Sequence, residues 1–492
     1  MRQTGMVFGL KRSTKKTDPC AQALVKAMGS DNVRLDAAHR HLASRDASIY
    51  EGGSAGPLCF PTSTAEVQTC VKIAAQFDRA FVARGAGTGL AGGAVPLAEP
   101  VIISTTRMDK VLEVDVANGV AWVQPGVVNL DLTRHLQPLG YNFAPDPSSQ
   151  QVCTIGGNLA NNAGGPHCLA EGTTSSHIVA MEVVLSDGDI VMLGGLEDDQ
   201  PGYDLRGCFV GSEGMMGIAT RVAVRLTPNR PEVATLLISF SSVSDCAATV
   251  GAIIGAGIIP AAIEMMDKNC VEAVEQYVHA GYPLDAAAVL LVEVDGLADG
   301  VAFEAQAIDE IAMANGASEV RTAADETERA LLWKGRKTAF GAIANIAPDY
   351  YLHDTVVPRG ALVSIIETIY EVADRHELLV LNVFHAGDGN LHPLLVYNGA
   401  EPGIMDRVHA AGEEIVNASL ALGGTLSGEH GIGVEKRDYM TRLFSPADLD
   451  HQNRLRQAFD PYCRANPGKV LPSGHTCADI QSLESVPKTV WI

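Results

Sequence analysis

The sequence predicts an α+β enzyme of two or more domains, and three observations lead there. At 492 residues the chain is too long for a single hydrophobic core. Apolar residues make up 47% of it, aromatics only 5%, and glycines number 49, a balance that suits an enzyme rich in tight turns. Short β-rich runs alternate with amphipathic helical runs, and beyond residue 231 they do so in the manner of a sheet covered by helices.

Charge and cysteine usage exclude several function classes. A net charge of −22 argues against nucleic acid, which needs a basic face. It also requires a local positive patch wherever an anionic substrate is bound. The ten cysteines are scattered with no CxxC and no ferredoxin-type run, so reduced thiols are expected, with no iron–sulfur cluster in this chain. No apolar run reaches the ~18–20 residues that a membrane span requires. The basic N-terminus (Arg2, Lys11, Arg12, Lys15, Lys16) lacks an apolar core and a cleavage site, and reads as the disordered leader of a cytoplasmic chain.

Taken in order, the first helical pattern runs from Cys20 to about His41, with Ala21, Leu24, Val25 and Met28 on one face and Gly29 near the end. Ser63-Thr64-Ala65-Glu66 has the form of a capping box and opens a helix to Phe77. A strand at 80–83 then runs into Arg84-Gly85-Ala86-Gly87-Thr88-Gly89-Leu90 and on to Ala94. Glycines there leave backbone N–H groups free to crowd around phosphate oxygens, although the spacing fits neither a dinucleotide fingerprint nor a P-loop. Strands are expected at 101–105 and 119–123, and a helix at 129–137. The segment Pro145-Asp146-Pro147-Ser148-Ser149 leads to a second glycine- and amide-rich stretch, 153–165. Two such stretches in one domain suit a large, flat, polyphosphate-bearing ligand. Strands at 178–185, 190–193 and 218–226 close this block, with Gly211-Ser212-Glu213-Gly214 before the last.

Beyond Glu232 strands (234–240, 288–294) and helices (246–257, 301–316) alternate, with Met265 and Met266 as gap-filling core. A helix at 322–344 carries Lys334-Gly335-Arg336-Lys337, the positive patch the acidic chain calls for, although a solvated face is the usual fate of such a run. Further helices are expected at 360–375, 404–422 and 446–459, and the polar tail from Ser473 is expected to be loosely held.

The chemistry concentrates in His385-Ala386-Gly387-Asp388-Gly389-Asn390-Leu391-His392, read with Gly428-Glu429-His430-Gly431. β-rich runs flank Asp388-Gly389, a strong hairpin signal. With those two as the loop, His385 faces His392, and opposed side chains share a face about 4.5–5.5 Å apart. Two imidazoles so placed can share a divalent ion with a carboxylate such as Glu429, leaving an open position. The same pair is also compatible with ordinary surface histidines. Asp388 and Asn390 read as turn residues rather than ligands.

Together, Pro61–Val67, Arg84–Ala94, Pro145–Ser149, Ile155–Gly165 and Gly211–Gly214 resemble the FAD-binding domain of the vanillyl-alcohol oxidase/para-cresol methylhydroxylase (PCMH) superfamily. His385–His392, Ser427–Gly433 and Asn466–Val470 resemble the cap and C-terminal segment of its 2-hydroxy-acid branch, which includes bacterial glycolate oxidase FAD-binding subunits and D-lactate and D-2-hydroxyglutarate dehydrogenases. The resemblance implies a two-lobed PCMH-type FAD-binding domain at 51–230 after an N-terminal extension and helix (1–50). It implies an antiparallel α+β cap at 231–445, a C-terminal segment at 446–472 returning to the FAD lobe, and a tail at 473–492. FAD would be held by Arg84, Gly85, Ala86, Gly87, Thr88, Gly89, Leu90, Pro145, Asp146, Ser148, Ser149, Ile155, Gly156, Gly157, Asn161, Gly164, Gly165, Glu213, Gly217, Ile218 and Asn466. Thr88 stands where a flavin-tethering histidine would follow, so FAD is expected to be non-covalent, with His167 and His177 ordinary structural residues.

The same resemblance implies oxidation of a small 2-hydroxy acid to the 2-oxo acid, with hydride passing to flavin N5. His385, His392 and Glu429 would hold Zn²⁺ or Mn²⁺, His430 would take the hydroxyl proton, and Arg336 would pair with the substrate carboxylate, leaving Lys334 and Lys337 as surface charge. Leu352 and Leu394 stand where dicarboxylate-specific relatives carry polar groups, which argues against a distal carboxylate. Electrons would leave through FAD-binding and iron–sulfur companion subunits to a quinone, with peripheral attachment to the inner membrane face through those partners and a homodimer as further expectations. A self-sufficient D-lactate or D-2-hydroxyglutarate dehydrogenase is the alternative. A non-catalytic flavoprotein scaffold and an ether-lipid synthase of the same superfamily are the rivals; the intact His/His/Glu/His set speaks against the first, and the second would need a lipid-sized pocket.

Overall fold

The computed structural model describes residues 18–50, 52–197 and 201–472. The expected leader and the tail from Ser473 lie outside them. The helix Pro19–Met28 is capped by the Asp18 carboxylate, which accepts from the N–H groups of Cys20 and Ala21. The expected single helix to His41 is instead broken at Gly29, whose φ of 83° favours glycine. A strand, Val33–Arg34, and a short helix, Ala37–Leu42, follow.

Two sheets make up the part before residue 230. One has four strands in the order Val33–Arg34, Leu58–Cys59, Val101–Ser104, Phe81–Arg84, the last three mutually parallel. The other has five antiparallel strands, ordered Val111–Asp115, Val120–Val123, Ile218–Arg225, Ile178–Val184, Ile190–Gly194. The helix Thr64–Gln76 joins them: Val67, Cys70, Val71 and Ala74 pack with Phe81, Val101 and Ile103 of one sheet and Val184 and Ile218 of the other. Ser63 caps this helix through the Glu66 N–H, but the Glu66 carboxylate turns back to Thr62 rather than Ser63.

The second half is built on a nine-stranded sheet running from Ala317–Thr322 through Glu232–Phe240, Ala288–Gly296 and Ala262–Asp267 to Leu379–His385, with the shorter strands between 349 and 397 beyond it. Both faces are covered. Helices Val243–Gly255, Ala298–Ala314, Leu362–Arg375 and Ile404–Ala421 contribute to one core, and Lys268–Val278, Glu326–Lys337 and Ala339–Ala342 to the other. Met265 and Met266 enter opposite cores, as strand alternation requires. The helix expected from Thr322 starts later, at Glu326, because Thr322 ends a strand paired with Leu236.

Pro446–Phe459 is helical, closed by a capping box of Ser445 and Asp448. The chain then bridges Phe81 in parallel at Ala465, with Asn466 N–H donating to the Phe81 carbonyl at 2.8 Å. All nine cysteines among the described residues are free. Among the same residues, no helix is long and apolar enough to cross a membrane.

Candidate functional site

Strand Phe81–Arg84 delivers the chain into the first glycine loop, and the second glycine stretch folds as a helix, Ile155–Asn161. Sequence reasoning missed this helix, because glycines at its second and third positions depress helix propensity. The N-cap signal was Thr154, whose hydroxyl accepts from Gly157 N–H at 3.3 Å. Gly85 is required by this approach, since a Cβ there would stand 2.4 Å from Thr154 Oγ1.

Between the two stretches lies a cavity of about 450 Å³. Residues 84–90 wall it, with Ser148, Ser149, Gly156, Gly157, Asn161, Glu213, Gly217 and Ile218. Arg84 Nη1, Asn158 Nδ2 and Ser212 Oγ are buried in this wall with no hydrogen-bond partner in the protein. A glycine-lined cavity with such polar atoms fits a large polar cofactor such as FAD.

Six expected residues lie off this wall. The Pro145 carbonyl accepts from Asn129 Nδ2, and Ile155 enters the hydrophobic core. Asp146 pairs with His167 at 3.0 Å and with Lys337 at 3.4 Å, and Gly165 packs on Asp146. Gly164 packs on Glu429. Asn466 is a strut, its Nδ2 donating to the carbonyls of Gly93 and Glu213. His167 and His177 are engaged elsewhere as well, the latter with the Glu171 carbonyl at 2.9 Å.

The far wall comes from Lys337, Phe340, Tyr350 and Leu352, with Glu429 and His430. Lys337 is therefore not simple surface charge, whereas Lys334 is exposed.

The hairpin differs from the expected register. His385 faces Asn390, not His392, and Asn382 faces Pro393. The turn spans four residues, 386–389, in which only Gly389 has a positive φ, 80°. Its residues are drawn to neighbouring segments: Gly387 N–H donates to the carbonyl of Ile263 in a strand, and Arg359 Nε, from a short 3-10 turn, to the Gly387 carbonyl. The shift moves the pairing by an even number, so both imidazoles keep one face. Their ring centroids stand 5.1 Å apart, nearly perpendicular. Asp388 is a turn residue, its carboxylate accepting from Asn390 N–H, whereas Asn390, expected in the turn, opens the short strand Asn390–Leu391 instead.

Glu429 completes the group. Its Oε1 lies 3.4 Å from His385 Nε2 and 3.5 Å from His392 Nε2, and the three ligand atoms lie within 4.8 Å of one another. Both His392 nitrogens are buried without a hydrogen-bond partner. Two imidazoles and a carboxylate converging with unspent nitrogens fit a divalent ion. Burial would raise the Glu429 carboxyl, but His385, His392 and His430 outweigh it and hold it at about 2. His430 stacks on His392, ring centroids 4.9 Å apart and 5° from parallel. Burial, with His392 and Lys436, holds its imidazole down at about 4 against the pull of Asp354, so it is neutral and able to accept a proton.

Three carboxylates missed in the sequence shape this site. Glu264 lies across the sheet from His385 and accepts from its Nδ1 at 2.6 Å and from Arg336 Nε at 2.6 Å. Asp354 holds the loop from the cap side, accepting from Ser427 Oγ, Gly428 N–H and His430 N–H and pairing with Lys436. Glu293 takes Trp333 Nε1–H and Thr235 Oγ–H. Glu213, expected at the cofactor, also grips the loop, its oxygens accepting from Ile432 and Gly433 N–H at 2.7 and 2.8 Å. Buried acids among apolar neighbours in a strand (Ile263-Glu264-Met265) were the available signal.

Residues 57–194 match the FAD binding domain family, and residues 230–470 match the FAD linked oxidases, C-terminal domain. The chain is 43% identical over 426 residues to the glycolate oxidase subunit GlcD of Escherichia coli, covering 87% of this chain and 85% of that relative. It is 36% identical to the same-named subunit of Bacillus subtilis (92% and 97% covered) and 32% identical to the D-lactate dehydrogenase of Anaerostipes hadrus (90% and 94%). Among solved structures, p-cresol methylhydroxylase superposes with a TM-score of 0.79 at 17% identity, covering 92% of this chain and 96% of that one. The chain thus has the PCMH-type fold and belongs to the FAD-linked oxidase family that includes the glycolate oxidase GlcD subunits.

Proposed function

We propose that the chain oxidises a small 2-hydroxy acid, glycolate or D-lactate, to the 2-oxo acid. The observation carrying this is the convergence of His385, His392, Glu429 and His430 beside a glycine-lined cavity, in a chain related to proteins named for glycolate and D-lactate. Residues 51–230 form the FAD lobe, 231–445 the cap and 446–472 the returning segment.

When bound, FAD would supply a two-electron acceptor and Zn²⁺ or Mn²⁺ a Lewis acid at the substrate hydroxyl. The glycine loops would hold the non-covalent flavin, and His385, His392 and Glu429 would hold the ion. His430 receives the hydroxyl proton. Arg336, with Nη1 and Nη2 both lacking a hydrogen-bond partner, orients the carboxylate. Leu352 and Phe340 keep water and distal charge from the cavity.

Companion FAD-binding and iron–sulfur subunits and a quinone would serve as the electron acceptors, with peripheral membrane attachment through those partners. The relatives' designation as subunits supports this over a stand-alone D-lactate dehydrogenase. Anaerobic titration of the purified flavoprotein with glycolate, D- and L-lactate and D-2-hydroxyglutarate tests the reading. Glycolate or D-lactate should bleach the flavin band; bleaching by none of the four would overturn it.

A further inference from the structure

We propose that Glu264 is a positioning residue that sets His385 and Arg336 together, so that ion ligand and carboxylate-binding cation are assembled as one unit. This deepens the proposed function and rests on that reading of the site. Glu264 is 1% exposed in the middle of the strand Ala262–Asp267, directly opposite His385 in register. Its two oxygens are divided. Oε1 accepts from His385 Nδ1 at 2.6 Å, while Oε2 accepts from Arg336 Nε at 2.6 Å and lies 2.5 Å from Nη2.

Each contact has a chemical consequence. With Nδ1 committed to Glu264, His385 has only Nε2 to offer, and that nitrogen is the one 3.4 Å from Glu429. Ligating histidines depend on such a partner to fix ring tautomer and direction. With Nε hydrogen-bonded to the same carboxylate and Nη2 ion-paired with it, Arg336 has one edge of its guanidinium fixed, while neither Nη1 nor Nη2 has a hydrogen-bond partner. The next residues, Met265 and Met266, are apolar core, and a buried ion pair is seldom needed for packing, since apolar groups of similar volume fill such space at less cost. A carboxylate shared by a ligand and a cation is instead what a site needs when its parts must keep one geometry.

The test uses flavin-loaded parent protein, Glu264→Gln and His385→Ala, each stripped of metal. Zn²⁺ affinity is measured by competition with a chromogenic chelator, and the visible bands of bound Co²⁺ report ligand geometry. The Glu264→Gln amide keeps the volume but cannot accept from both partners, so Zn²⁺ affinity should fall about 10–100-fold. The Co²⁺ bands should shift and the KM for the hydroxy acid should rise, with flavin content unchanged. If Glu264→Gln does not fold, Glu264→Asp carries the same measurements, its shorter arm reaching only one partner. Parent-like affinity and Co²⁺ bands in the variant, with binding lost in His385→Ala, overturn the role of Glu264 and leave the ion site standing. No Zn²⁺ uptake by the parent would overturn both.

Discussion

Leu352 and Leu394 face each other across neighbouring antiparallel strands, and Leu352 reaches the cavity wall. A distal carboxylate placed there would lose its water without gaining a partner, at a cost of several kcal/mol. Leu352→Lys should therefore let D-2-hydroxyglutarate reduce the flavin while weakening the response to D-lactate. Stopped-flow flavin reduction with both acids checks this.

His430 and His392 stack, yet their replacements should differ in kind. His430→Gln should retain ion and flavin but slow flavin reduction by about 10²–10⁴-fold, the scale of a lost general base. His392→Ala should lose the ion itself, seen by elemental analysis, and hold its flavin less tightly than His430→Gln does.

His167 links the two halves of the molecule, 3.0 Å from Asp146 and 3.5 Å from Glu293. Burial opposes its charge, but Asp146 and then Glu293 outweigh burial and raise the imidazole from 6.5 to about 10. Its folded value lies above its unfolded value, so its stabilisation is complete below pH ~6.5 and is lost as pH climbs toward about 10. His167→Gln should thus lower the melting temperature most near pH 6 and least near pH 10. Thermal melts across that window measure the difference.

Gly85 admits no side chain, because its Cβ would press on Thr154, the cap of the helix beside the cavity. Gly85→Ala should reduce flavin retained on purification and cost about 1–3 kcal/mol of stability, the usual scale for overpacking. The flavin-to-protein absorbance ratio and denaturant unfolding report the two effects.

Periodicity and capping located most of the larger elements to within a few residues, because Ser63 and the apolar faces of the cap helices act locally. What escaped depends on partners distant in sequence. The hairpin register was set by Ile263 and Arg359 rather than by Asp388-Gly389. The importance of Glu264, Asp354 and Glu293 lies in contacts across 40–121 positions of chain. His385, His392 and Glu429 were legible because their residue types are unusual in an apolar setting, and their convergence in the fold follows from sheet alternation and one loop. Asn466 and Gly164 were assigned to the cofactor by resemblance, whereas their own contacts are with protein.

The loop bearing Glu429 and His430 is gripped from the cap by Asp354 and from the opposite lobe by Glu213. Anything that orders one grip prepares the other, and such linkage is reciprocal by thermodynamic necessity. Chelation should therefore loosen the flavin, and flavin-stripped protein should surrender its cation sooner. Maturation of the enzyme then becomes a cooperative process in which each addition tightens the hold on the other.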